Sequence, residues 1–195
     1  MVAGITDYHK KFNEHGESPK ALQWQNYKSS AERYRELVAD LDIRGKSVLD
    51  AGCGMGDILP YIYANAPDFE YLGVDIIEDF IEIARKRYLG HEFRVLDALK
   101  EEFGQKFDIV LSCGILNSNI DNWLEERQQR IQKLYSLANE AFAFNMAGSF
   151  QPKPGGKRVA EADTKEIINF CAGLTSKVIL KTHYHPKDFT IVMFK

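Results

Sequence analysis

Two strand-like apolar runs close the chain, KVILKTHY (177–184) and DFTIVMFK (188–195), with only His185, Pro186 and Lys187 between them. A parallel pair needs a crossover of a dozen or more residues, so these runs must pair antiparallel as a hairpin. Upstream, short β-rich runs recur at SVLDAG (47–52), YLGVDI (71–76), FRVLD (93–97), FDIVLSCG (107–114) and AFAFNMAG (141–148). Helical patterns alternate with them. The segment 77–89 carries Phe80, Ile81 and Ala84 on one face, and 122–138 carries Leu124, Ile131, Leu134 and Leu137. A further amphipathic stretch, Ser29 to Leu41, precedes the first strand with Tyr34, Leu37, Val38 and Leu41 at helical spacing. Strands alternating with helices build a mostly parallel sheet covered on both faces, here ending in an antiparallel hairpin.

With 195 residues and no repeat or low-complexity tract, the chain has material for one large core. Its 25 Lys and Arg against 28 Asp and Glu leave no global positive field for a nucleic-acid backbone. Cys53, Cys113 and Cys171 are odd in number and widely spaced, which makes neither a disulfide framework nor a metal cluster and suits a reducing cytoplasm. No apolar stretch approaches the ~20 residues of a membrane span, and the polar opening residues argue against a signal peptide. Residues 151–157, QPKPGGK, read as a surface loop inside the domain.

The strongest local signal is VLDAGCGMGD (48–57), an apolar strand that runs into Gly52, Gly54 and Gly56 and then into a helical pattern. Residues without a Cβ permit a tight turn and close approach of a ligand to the backbone, and the following helix start presents unpaired N–H groups. A dinucleotide fingerprint needs glycine at position 57, where this chain has Asp57, a residue that would repel a pyrophosphate but could face an ammonium group. Asp50 is either a second ammonium partner or a hydrogen-bond acceptor for the loop's own backbone. Asp75, at the end of the second strand, is placed to accept hydrogen bonds from ribose hydroxyls. Asp97, ending the third strand, either accepts from an adenine amino group or caps the segment after it.

In order and spacing, VLDAGCGMGD, YLGVDI, FRVLDAL and FDIVLSCGIL resemble the motifs of class I S-adenosylmethionine-dependent methyltransferases, over about residues 30 to 195. The terminal hairpin agrees, because that family inserts its seventh strand antiparallel. The resemblance implies a Rossmann-like three-layer sandwich with a seven-stranded, mostly parallel sheet, and S-adenosyl-L-methionine as cofactor. It places Gly52, Gly54 and Gly56 along the methionine part, Asp75 on the ribose, and Asp97 with Ala98 on the adenine. Ser112, Cys113 and Gly114 would close the site, with Asp50, Cys53, Ile76 and Trp24 completing it. The chain lacks the Asn/Asp-Pro-Pro-Tyr/Phe and Pro-Cys signatures of DNA-methylating relatives and the metal cluster of catechol-type ones. The expected acceptor is therefore a small molecule methylated on oxygen or nitrogen, with no DNA and no metal. RNA or protein methylation, a non-catalytic cofactor-binding module and a nicotinamide-dependent oxidoreductase are the rivals. Lys153, Lys157 and Arg158 give the first of these only a small basic patch.

Methyl transfer needs orientation more than any one side chain, so no single residue type is obligatory. His9 and His15, which titrate near neutrality, are candidate bases, and Asn117 and Asn119 are candidates to orient an acceptor. His183 and His185 alternate on the terminal hairpin and are expected on one sheet face with a structural role. Cys113 is expected as a small buried residue rather than a nucleophile, since no His or Arg adjoins it in sequence. Residues 1–28 form a separate segment before the main domain, 29–195. With Tyr8, His9, Phe12, His15, Trp24 and Tyr27 it holds too many aromatic groups for a free tail, and a turn at Ser18 and Pro19 lets it fold over the strand ends as a lid.

Overall fold

The computed structural model describes residues 5–24, 26–117, 123–152 and 161–195. The expectations for Asn119, Lys153, Lys157, Arg158 and most of the 151–157 loop fall outside them. Strands β1 (Ser47–Ala51), β2 (Glu70–Asp75), β3 (Glu92–Val95), β4 (Phe107–Cys113) and β5 (Ala138–Ser149) alternate with helices α2 (Tyr27–Val38), α3 (Leu59–Asn65), α4 (Glu78–Arg87) and α5 (Trp123–Ser136). A leading helix α1 (Ile5–His15), the two-residue strand β6 (Ala162–Asp163), helix α6 (Thr164–Leu174) and strands β7 (Val178–Lys181) and β8 (Asp188–Phe194) complete the chain.

The sheet runs β3-β2-β1-β4-β5-β8-β7, with β6 paired to β5 off this path. The first five strands pair parallel, and β8 is antiparallel to both β5 and β7. The terminal hairpin thus folds back so that the last strand inserts beside β5. Chain order reverses between β1 and β4, which opens a crevice at their carboxyl ends, the usual ligand position in open α/β sheets.

Alternation along the strands explains the two cores. Leu49, Val110, Phe142, Phe144 and Ile191 face Ile131, Leu134, Ile167 and Cys171 of α5 and α6. Val48, Ile109, Leu111, Ala143 and Val192 face Leu37, Val38, Ile62, Ile81 and Ala84 of α2, α3 and α4. A third cluster joins Tyr8, Phe12, Ala21 and Leu22 to Ile77, Phe80 and Ile83. Burial of this kind stabilises by about 25 cal/mol per Å² of apolar surface removed from water.

Several boundaries move for local reasons. Helix α2 starts two residues earlier than its apolar pattern, because Asn26 caps it by accepting from the Ser29 N–H at 3.0 Å. Helix α5 stops at Ser136, because Ala138 already pairs with Phe107 in the sheet. The placement of His183 and His185 on one sheet face is corrected. The last β7–β8 pair is Lys181 with Thr190, so both histidines lie in the connection. Lys181 ends the strand with its ammonium group bonded to the Glu36 carbonyl at 2.8 Å and ion-paired to Asp40. No helix among the described residues is long and apolar enough to cross a membrane.

Candidate cofactor and acceptor site

Strand β1 delivers the chain into a glycine turn in which Gly52, Gly54 and Gly56 take φ of +81°, +55° and +78°, a region that L side chains avoid. The turn is tied down by the N–H groups of Gly52 and Cys53, both donating to the Val74 carbonyl at 2.8 and 3.0 Å. A Cβ at Gly52 would sit 2.1 Å from Ile115 Cγ2, and one at Gly54 would sit 2.8 Å from Leu22 Cδ2. Gly56 likewise packs against a side chain, the Tyr88 ring lying 3.0 Å from where its Cβ would stand.

A cavity of about 950 Å³ opens at the strand ends and reaches this turn. Asp50, Gly52, Cys53 and Gly54 border it from β1, and Asp75 and Ile76 from β2. Asp97 and Ala98 border it after β3, Cys113 and Gly114 at the end of β4, and Trp24 from the N-terminal segment. Gly56 and Ser112, expected in this set, are not among the lining residues. Strand alternation turns Ser112 into the interior, fully buried, with a hydroxyl that finds no partner among the described residues.

The carboxylates differ in what holds them. Asp75 accepts from the Gly54 N–H at 2.9 Å through Oδ2 and from the Ile77 N–H at 3.0 Å through Oδ1. Burial raises its pKa, and the backbone donors at Ile77 and Gly54 oppose that rise. Each oxygen keeps capacity for a further donor. Asp50, 2% exposed, accepts from the Tyr71 hydroxyl at 2.7 Å rather than from the loop backbone. Burial pushes its pKa up to about 7, against the Tyr71 hydrogen bond and with help from the Asp75 charge. Strand β3 ends at Val95, so Asp97 lies two residues beyond it. Asp97 caps the following turn through the Leu99 N–H at 3.1 Å, pairs with Lys100 at 3.0 Å, and still borders the cavity. Asp57 does not meet the ammonium role considered for it. Its carboxylate pairs with Arg87 at 3.0 Å, away from the lining.

The structure also redistributes the candidates for proton transfer. His9 lies 3.0 Å from Asp79 and His15 beside Glu14 at 3.8 Å, and neither borders the cavity. Helix periodicity gives the reason, because Tyr8 and Phe12 share the face that packs on Phe80 and turn the histidines elsewhere. Asn117 does border the cavity, with its Oδ1 accepting from the Ala147 N–H at 2.8 Å at the end of β5. Cys113 donates to Asn145 Oδ1 at 3.5 Å, and burial pushes its pKa further up, so it holds no thiolate.

A constellation absent from the sequence reading faces the other half of the cavity. Arg33 of α2 pairs with Asp188 of β8, donates to Ser29 Oγ at 2.6 Å, and lies 5.0 Å over the Trp24 ring. His185 places Nδ1 2.6 Å from the same Asp188 oxygen. Burial raises the Asp188 pKa, while Arg33 and then His185 pull it down. Arg33 and Asp188 are 155 residues apart, so no sequence spacing could bring them together. The cavity thus has an acidic half beneath β1 to β3, suited to a nucleoside that carries an ammonium group, and a mixed aromatic and charged half beside β8.

Residues 43–167 match a family model described as a methyltransferase domain. A demethylmenaquinone methyltransferase of Symbiobacterium thermophilum is 33% identical over 152 residues, covering 77% of this chain and 53% of that protein. A malonyl-[acyl-carrier protein] O-methyltransferase of Acetivibrio thermocellus is 33% identical over 101 residues, covering 49% of this chain and 36% of that protein. The chain therefore spans about half, or less, of these curated relatives. Among solved structures, magnesium protoporphyrin IX methyltransferase from Synechocystis PCC 6803 with bound S-adenosylhomocysteine shares the fold at a TM-score of 0.66. It is 18% identical and covers 97% of this chain and 94% of that one.

Proposed function

Because this chain belongs to the methyltransferase domain family and has the class I fold, we propose that it binds S-adenosyl-L-methionine and methylates an oxygen or nitrogen of a small molecule. One observation carries this reading: the glycine turn and the carboxylates Asp50, Asp75 and Asp97 converge from three successive strands on one cavity. The residues fit the cofactor part by part. Asp75 retains acceptor capacity for ribose hydroxyls, Asp50 offers a buried carboxylate to an ammonium group, and the turn at Gly52 and Gly54 borders the same cavity. When bound, the cofactor supplies an electrophilic methyl group on a sulfonium.

The chain's own task is to hold an acceptor and remove its proton. Trp24 and Arg33 wall the acceptor half, where the guanidinium brings a positive charge to the cavity. His185 replaces His9 and His15 as the base in this reading. Its Nδ1 lies 2.6 Å from Asp188 and also takes the Lys187 N–H at 3.2 Å. The base role therefore requires the tautomer in which Nδ1 donates to Asp188 and Nε2 is left to take the acceptor's proton and pass it to water. A positioned base of this type contributes about 10²- to 10⁴-fold in rate. The names of the relatives, with demethylmenaquinone and magnesium protoporphyrin IX as acceptors, favour a small molecule. The three unpaired cysteines suit a cytoplasmic site of action.

Calorimetric titration with S-adenosylhomocysteine and with NAD tests the cofactor. Micromolar binding of the first and none of the second is expected, and a protein that binds neither, or only NAD, removes this reading. Transfer of labelled methyl to a panel of phenols, carboxylates and amines then tests the acceptor class.

A further inference from the structure

Residues 5–24 are fixed against the main domain at both ends of the cavity. On the α4 side, Tyr8 and Phe12 meet the Phe80 ring edge-on with centroids 6.0 and 5.9 Å away, and His9 contacts Asp79 at 3.0 Å. The turn that follows α1 is held by Arg87, which reaches the Glu17 carboxylate at 2.8 Å. Leu22 then lies over Gly54, and the Trp24 ring lies 3.4 Å from where a Cβ on Gly114 would stand. This path crosses the strand ends from β2 to β4. Of the residues on α1, Tyr8 borders the cavity, together with Asp75, Ile77 and Phe80.

We propose that Tyr8 is a cofactor-binding residue, its hydroxyl supplying the hydrogen-bond donor that Asp75 cannot supply at the ribose end of the site. The inference rests on the cofactor reading above and deepens it. A carboxylate only accepts, and both Asp75 oxygens already take a backbone N–H. Two ribose hydroxyls that donate to Asp75 would still present their own oxygens to a buried wall, and a hydroxyl oxygen left without a donor there carries a desolvation penalty. Tyr8 lies within the field of Asp75. Burial first, and the Asp75 charge second, raise its pKa, so the phenol keeps its proton and remains a donor across the physiological range. The edge-on contact with Phe80 fixes the ring and lowers the entropy lost when the hydroxyl engages a ligand. Helix α1 is then a wall of the cofactor site and not an external strap.

The test is calorimetric titration of S-adenosylhomocysteine into the full chain and its Y8F, D75N and Y8F/D75N variants, with the Tm of each ligand-free protein. Loss of one neutral hydrogen bond predicts a three- to tenfold weaker Kd for Y8F, with the ligand-free Tm unchanged. The two substitutions should be non-additive, since both act on one ribose. Unchanged affinity in Y8F, strict additivity with D75N, or a loss that vanishes once titrations are normalised to folded protein overturns the role of Tyr8. Failure of the wild-type chain to bind S-adenosylhomocysteine would instead remove the cofactor reading itself, so the two failures are distinguishable.

Discussion

Asp50 illustrates how a single buried residue couples folding, pH and ligand. Its folded pKa of about 7 lies above its ordinary value of 3.8, so the ligand-free fold favours the uncharged acid. The stabilisation this gives is fully present below pH 4 or so and is lost as pH rises through about 7. An approaching ammonium group reverses the preference by stabilising the carboxylate. Affinity for S-adenosylhomocysteine should therefore rise up to about tenfold per pH unit between pH 5.5 and 7 and level off above it, while Asp50→Asn flattens the profile. A wild-type profile without slope would separate Asp50 from the ammonium site. The same scale governs the turn. Gly54→Val should abolish binding in the same titration, because its added atoms collide with Leu22 and the residue would have to adopt a φ of +55°. Asp75→Ala should weaken binding more than about 100-fold, since two hydrogen bonds to a charged group at about 1.5 to 3 kcal/mol each would be lost. It also releases the Gly54 N–H, so part of that loss comes through the loop.

At the scale of elements, the pair Arg33–Asp188 ties α2 to β8, with side chains 8% and 6% exposed. Arg33→Ala leaves a buried carboxylate without its main counter-charge, a change that costs about 3 to 5 kcal/mol. With roughly 2 to 4 °C lost per kcal/mol in a chain of this size, Tm should fall by about 10 °C in a thermal melt. The double variant Arg33→Met with Asp188→Leu should recover most of it, because an apolar pair of similar volume removes the desolvation penalty from both sides. Helix α6 offers a smaller test. Asp163 accepts from the Lys165 N–H at 2.8 Å, and Asp163→Ala should lower stability by about 1 kcal/mol. The α6 cap is local, Asp163 standing directly before the helix it caps. The Arg33–Asp188 pair is not, since it depends on a sheet order that brings the last strand beside β5.

For the whole molecule, the segment before α2 contributes Tyr8, Leu22, Gln23 and Trp24 to the cavity wall, and its removal tests the expected lid. Deleting residues 1–25 should weaken S-adenosylhomocysteine binding at least tenfold while leaving a cooperative melt, because the cores facing α2 to α6 do not include that segment. A truncated chain that binds normally, or that fails to fold, would show that the segment is not a lid. The layered α/β fold, the inserted antiparallel strand, the glycine turn and Asp75 at the end of β2 were legible beforehand. Each is set by local spacing: alternation fixes strands, connection length fixes hairpin direction, and glycine marks backbone that other residues cannot adopt. Which histidine enters the site was not legible. His9 and His15 were candidates in a polar segment expected to cover the site, yet on helix α1 the packing of Tyr8 and Phe12 on Phe80 turns them away from the cavity. His185 looked like a strand residue until Lys181 ended β7 and Asp188 drew it to the cavity. Gly56 and Ser112 carry the right motif positions but spend them on packing. Local sequence determined the scaffold and the half of the cavity lined by the glycine turn, because each of those features is set within a few residues at the end of its own strand. Only the tertiary structure decided the half beside β8, because its groups come from distant parts of the chain whose meeting depends on long-range strand order and on helix rotation.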